Sequence, residues 1–123
     1  MDMFLSLSRI GNAHVPSSIR SDGEDMSEAL LGVPKNRSKE IYWEYRRKEH
    51  KAFPSPQGHD KSPNICIRQG DWKLLVSASG TWVILYDLKK DPYETHNLSK
   101  KYPEVVDILK KKALDWRRGL PKL

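Results

Sequence analysis

With 123 residues the chain can build one modest hydrophobic core, or serve as a piece of a larger domain. Its hydrophobic fraction of 37% is low and its charged fraction of 31% high, yet four Trp, five Tyr and two Phe exclude a disordered chain, which is poor in aromatics. The net charge of +6 is uneven: residues 1–33 hold two basic and five acidic side chains, residues 99–123 eight and three.

A basic balance suits a polyanion, an anionic membrane or an acidic substrate, but a solvated basic helix face accounts for it without any partner. One cysteine, Cys66, excludes an internal disulfide, and there is no C-x-x-C pair for a metal. No apolar run approaches the roughly 18 residues of a membrane span. The opening MDMFLSLSRIG does not read as a leader, because Asp2 stands where positive charge is expected and Arg9 interrupts a short apolar stretch. The compartment stays open.

In chain order, residues 2–10 read as a short helix, with Met3, Leu7 and Ile10 on one face, Asp2 as cap and Gly11-Asn12 as stop. A loop comes next, with one helical turn over residues 27–31 ended by Gly32. IYWEY, Ile41 to Tyr45, is rich in β-formers and reads as a strand. The run RRKEHKAFPSPQGHDKSP, with three prolines and many charges, is a long loop.

NICIR (64–68), DWKLLV (from Trp72 to Val76) and WVILYDL (82–87) are three further strands, joined by a tight turn at Gln69-Gly70 and a longer one around Gly80. Pro103 then opens a helix whose apolar stripe is Val105, Ile108, Leu109, Ala113 and Trp116. Lys110, Lys111, Lys112, Arg117 and Arg118 fall in its later turns, where the helix dipole favours cations. The fold class is therefore α+β: a small antiparallel sheet of about four strands, a β-meander, packed against a C-terminal α-helix.

LYDLKKDPYETHNL, Leu85 to Leu98, gathers Asp87, Asp91, Glu94 and His96 and suggests a metal or proton-transfer site. It fails as a calcium loop, since two lysines separate the carboxylates and a proline follows the second. The structural reading is better: Asp91-Pro92 sets a turn, Asp91 accepts from nearby amides, Asn97 caps the residues after it, and Leu88 and Leu98 anchor the ends in the core.

Cys66 sits between Ile65 and Ile67, facing the other side of its strand, with no base nearby to activate it. His14, His50, His59 and His96 show no metal-binding spacing. Trp72, Trp82 and Tyr86 could stack nucleic-acid bases, but no RRM-type run accompanies them and core packing is the plainer role. Asn36-Arg37-Ser38 and Asn97-Leu98-Ser99 fit the glycosylation triplet, which matters only in a secretory compartment.

CIRQGDWKLLVSASGTWVILYDLKKDPYETHNLSKKYPEVVDIL resembles the ending of arylsulfatase-type sulfatases, in which AIRxGDWKLL precedes LYDLxxDPxExxNL and a helix beginning near PE. Upstream, DMFLSLSRIGNAHVPSSIRSDGEDMSEALLG resembles the family's D-x-F-P-T-L…G…DGxDLSPLLLG, with Leu5 where proline is common, and IYWEY is similar to its YWEY strand. The resemblance covers nearly the whole chain. It implies residues 1–33 as the tail of an alkaline-phosphatase-like catalytic domain and residues 34–123 as the C-terminal subdomain.

It further implies an intact enzyme that hydrolyses sulfate esters with calcium and a formylglycine made from a [CS]-x-P-x-R motif. Cys66 is followed by Ile67, Arg68, Gln69 and Gly70, so it is not that residue, and no serine fits. No catalytic, cofactor or metal residue is carried over, and the chain alone is expected to be inactive. The implied partners are the missing N-terminal catalytic domain and a sulfated small molecule or glycan, with no membrane. The resemblance implies that the subdomain borders the active-site mouth and that the stretch after YWEY varies with substrate, which makes Glu44, Arg46 and His59 the candidate substrate contacts. The rival is a free-standing basic module for nucleic acid or acidic glycan.

Overall fold

The computed structural model describes residues 2–45 and 62–121. The chain separates into two compact units, Met1–Lys39 and Glu40–Leu123.

The first unit contains helix α1 (Met3–Ile10) and a single helical turn, α2 (Ser27–Leu30). Polar contacts hold it together. Ser6, fully buried, donates through Oγ to the Asp2 carbonyl at 2.7 Å and accepts from the Met26 amide at 2.9 Å. The expected Asp2 cap does not form. Its carboxylate instead accepts from the Glu24 amide at 2.9 Å and pairs with the Arg37 guanidinium. Burial raises the Asp2 pKa, but these two donors outweigh it and hold the carboxyl below its usual range. An ion pair from 35 positions away has replaced a local cap.

Glu24 meanwhile accepts from the Ser38 and Lys39 amides at 2.9 and 3.1 Å. The apolar side of α1 is left in solvent: Met3, Phe4, Leu7 and Ile10, which share one face at helical spacing, are 44–53% exposed.

The second unit is the expected meander. Strands β1 (Ile41–Glu44), β2 (Ile65–Gln69), β3 (Trp72–Val76) and β4 (Val83–Asp87) lie in that order, each antiparallel to the next. Gly70 takes φ 58° in the β2–β3 turn and Gly80 φ 74° in the β3–β4 turn, conformations that a Cβ disfavours. Helix α3 (Pro103–Gly119) starts at its proline and covers one face of the sheet. Strand alternation sends Ile65, Ile67, Leu74, Val76 and Leu85 to that face, where all five are fully buried with Leu109 and Ala113. Tyr42 stacks on Trp116 at 5.3 Å and Trp72 meets Tyr102 at 5.1 Å, closing the core at its margins.

The helical stripe differs from expectation at one place. Val106 is buried, and Ile108 is 58% exposed. At about 100° per residue, positions 105, 106, 109, 113 and 116 fill the core-facing arc and 108 falls outside it. Likewise Trp82, expected in the core, is 45% exposed beside the Gly80 turn.

Candidate functional site

The Leu85–Leu98 segment is a brace, built by its own carboxylates. Asp87 accepts from the Lys89 and Lys90 amides, both at 3.2 Å. Asp91 accepts from the His96 amide at 2.8 Å and the Thr95 hydroxyl at 2.9 Å. Burial pushes the Asp91 pKa up, but these donors outweigh it and hold the carboxyl below its usual range. Asn97 accepts from the Ser99 amide at 2.9 Å, the expected cap, and also from the Leu85 amide of β4 at 3.1 Å. Leu98 packs on the core, while Leu88 is tied by its amide to the Asp71 carbonyl at 2.7 Å.

Glu94 makes the longest reach. Its backbone sits at φ 58°, unusual for a residue with a side chain, and its carboxylate accepts two hydrogen bonds from Lys73 Nζ at 2.5 and 2.7 Å. Lys73 lies in the Gly70-Asp71-Trp72-Lys73 motif. The two segments that carry the family resemblance are therefore physically one unit, joined by an ion pair and by the Leu88–Asp71 hydrogen bond.

The carboxylates of the loop do not converge. Among the described residues, no group of three or more His, Cys, Asp or Glu is placed to hold a metal ion. Cys66 is buried, and burial pushes its thiol up to about 12, far from a reactive thiolate. The described residues thus fit neither calcium nor a formylglycine precursor.

Of the candidate substrate contacts, Glu44 lies on the helix-covered face of β1 with its side chain 3% exposed. It accepts from Arg117 Nε at 2.9 Å and from Asn64 Nδ2 at 3.3 Å. Arg46 and His59 lie outside the described residues. The basic helix face is largely matched: Lys110 with Asp107, Lys111 and Arg118 with Asp115, and Lys112 with Glu40 at 2.6 Å. A groove of about 330 Å³ lies between the β2–β3 turn and α3, walled by Trp72, Val105, Ile108 and Leu109 with Gln69, Gly70 and Asp71. No described helix is long and apolar enough to cross a membrane.

Among the described residues, no helix packs on the opposite face of the sheet. Register places Trp43, Cys66, Leu75 and Ile84 in one row across it, and Ile41, Arg68, Lys73 and Tyr86 in the next. Neither row was singled out from sequence, because the pairing of β1 with β2 spans a long connection and leaves no local pattern.

No protein-family model matches the chain. Solved structures do. A Bacteroides thetaiotaomicron protein from work on glycosaminoglycan metabolism, designated BT33336S-sulf, matches 95% of this chain and 24% of its own at TM-score 0.59 and 23% identity. BT1596, a 2-O GAG sulfatase, matches 98% and 26% at TM-score 0.58 and 22% identity. BT4656, solved with its substrate D-glucosamine-2-N,6-O-disulfate, matches 98% and 24% at TM-score 0.56 and 22% identity. The chain spans about a quarter of the length of the structures it matches. Those matches cover nearly the whole of this chain and show a shared fold.

Proposed function

We propose that the chain is the C-terminal portion of a sulfatase whose intact form hydrolyses sulfate esters of glycan sugars. One observation carries the reading: the two family-like sequence segments, recognisable from their residues alone, meet through Lys73 and Glu94 inside a fold shared with solved sulfatases. The substrate class is supported by the neighbours, one a 2-O GAG sulfatase and one bound to a disulfated glucosamine.

On this reading the partner is a catalytic domain that supplies the formylglycine nucleophile and calcium. The exposed apolar stripe of α1 supports such a partner, since an amphipathic helix with its apolar side in water suits another protein surface. Arg46 and His59 remain the proposed substrate contacts of that intact enzyme, downstream in sequence of Glu44, which Arg117 holds on the helix-covered face.

The free-standing basic module is the weaker reading. Four of the five helix cations highlighted in the sequence pair with acidic neighbours on α3 or at Glu40, and Arg117 pairs with Glu44. The test is to express the complete reading frame and this chain separately and to follow sulfate release from a 2-O- or 6-O-sulfated disaccharide. The longer product is expected to turn over and this chain is not. Turnover by the chain alone, or none by a longer product that folds, would overturn the proposal.

A further inference from the structure

The groove between the β2–β3 turn and α3 presents apolar surface that the core does not use. Ile108 falls outside the core-facing arc of α3, yet it is apolar and 58% exposed. It lines the groove with Val105 and Trp72, and Tyr102 holds the Trp72 ring at a centroid distance of 5.1 Å. Register sets Gln69 against Trp72 and Glu44 against Ile65. The groove therefore lies at the end of the sheet away from the ends of the β1–β2 connection.

Charge singles out the same place. Nearly every described side-chain carboxylate of the Glu40–Leu123 unit has a basic side chain within salt-bridge distance. Asp71 and Glu104 are the exceptions: both are exposed, and neither has an ion-pair partner among the described residues. Asp71 lines the groove on the turn side, and Leu88 engages its backbone carbonyl rather than its carboxylate. Glu104 precedes Val105 and lies one turn from Ile108, so it shares their side of the helix. Neighbouring cations are committed elsewhere: Lys112 bonds Glu40 at 2.6 Å and Gln69 at 3.1 Å, and Lys101 sits 5.5 Å over the Tyr102 ring. In a chain of net charge +6, an apolar groove with an unpaired carboxylate on each side is a local reversal of sign.

We infer that this groove docks a basic amphipathic peptide segment of a partner protein. An aliphatic side chain enters between Trp72 and Ile108, and arginine or lysine residues flanking it meet Asp71 and Glu104. Burial of Ile108 and of the Trp72 ring supplies the affinity, while the two charge pairs set orientation and repel acidic competitors. A polyamine pairs with the carboxylates but leaves the apolar walls in water. The inference does not rest on the sulfatase reading, and α1, proposed to meet the catalytic domain, belongs to the other unit.

The test uses the whole chain and the product of the complete reading frame. The probe is a short acetylated helical peptide with leucines on one face flanked by arginines. Its controls are the same peptide with glutamates for the arginines, the same peptide with serines for the leucines, and spermidine. Binding is followed by fluorescence anisotropy and backbone amide NMR shifts at low salt. The probe should shift the amides around Gly70, Asp71 and Ile108, and added salt should weaken it. Asp71→Asn and Glu104→Gln should each reduce affinity about two- to fivefold, the range of exposed ion pairs, and Ile108→Ala about tenfold. These side chains are exposed, and unchanged melting temperatures establish that the variants fold. Leu7→Lys on α1 should leave binding as it is. Equal binding of the glutamate peptide, the serine peptide or spermidine, shifts that map to α1, or no effect of Ile108→Ala overturns the inference. Loss of binding by the longer product also overturns it, because the catalytic domain then covers the groove. If no longer frame exists and the chain binds the probe, the sulfatase reading falls and this inference stands.

Discussion

Glu94→Gln removes one partner of the pair that joins the two family-like segments. Two charge-assisted hydrogen bonds at 2.5 and 2.7 Å, between side chains 18% and 32% exposed, stand between two known regimes. Exposed pairs contribute about 0.2–1 kcal/mol and hydrogen bonds to charged groups about 1.5–3 kcal/mol, so the coupling should be about 1–2 kcal/mol. The two single variants should not be equal. Glu94→Gln leaves Lys73 charged and facing Arg68, adding a few tenths, about 0.2–0.5 kcal/mol. Lys73→Met removes that repulsion. The assay is a double-mutant cycle by urea unfolding at neutral pH, in which Glu94→Gln should be the more destabilising single change. For a unit this size each kcal/mol moves the melting temperature by about 4–8 °C. A coupling under about 0.3 kcal/mol, or equal single effects, would refute the claim that this pair holds the segments together.

Other outcomes rest on burial and titration. Leu109→Ala, at a side chain 3% exposed, should lose about 2–5 kcal/mol. Ile108→Ala, 58% exposed, should stay within about 0.5 kcal/mol in the same denaturation assay. With its thiol pushed up to about 12, Cys66 should resist a disulfide reagent at about pH 8 in the folded chain and react fully in denaturant; fast labelling of the native chain would contradict its burial. Asp2 and Asp91 have folded-state pKa values below their unfolded values. Their contribution is therefore present above the unfolded carboxylate range, about pH 4, and is lost as pH falls through the folded values. Thermal melts should weaken below that range, and Asp91→Asn should flatten the acid limb. Leu7→Lys on α1 should reduce binding of a hydrophobic dye by the whole chain.

Features with a local signature were legible in the sequence. Ile65 and Ile67, Leu74 and Val76, and Val83 and Leu85 alternate at period two, and Gly70 and Gly80 mark the turns between their strands. The bracing role of Asp91 was legible because its partners lie within five residues. Several contacts were out of sight because of distance along the chain. Asp2 was read as a cap because Arg37, its actual partner, lies 35 positions away. The Glu44 pairing with Arg117, 73 positions on, was not visible either. Lys73 and Glu94 are 21 apart, so neither segment discloses its hold on the other. Ile108 fits an apolar list but not the arc of the helix, an error that counting at about 100° per residue corrects.

The central claim is that this chain is part of a sulfatase, and sequencing the full-length transcript tests it most directly. The account predicts an open frame continuing upstream of Met1 and encoding a Cys- or Ser-x-Pro-x-Arg motif. A stop codon immediately upstream in frame, with no such motif anywhere in the transcript, would contradict it.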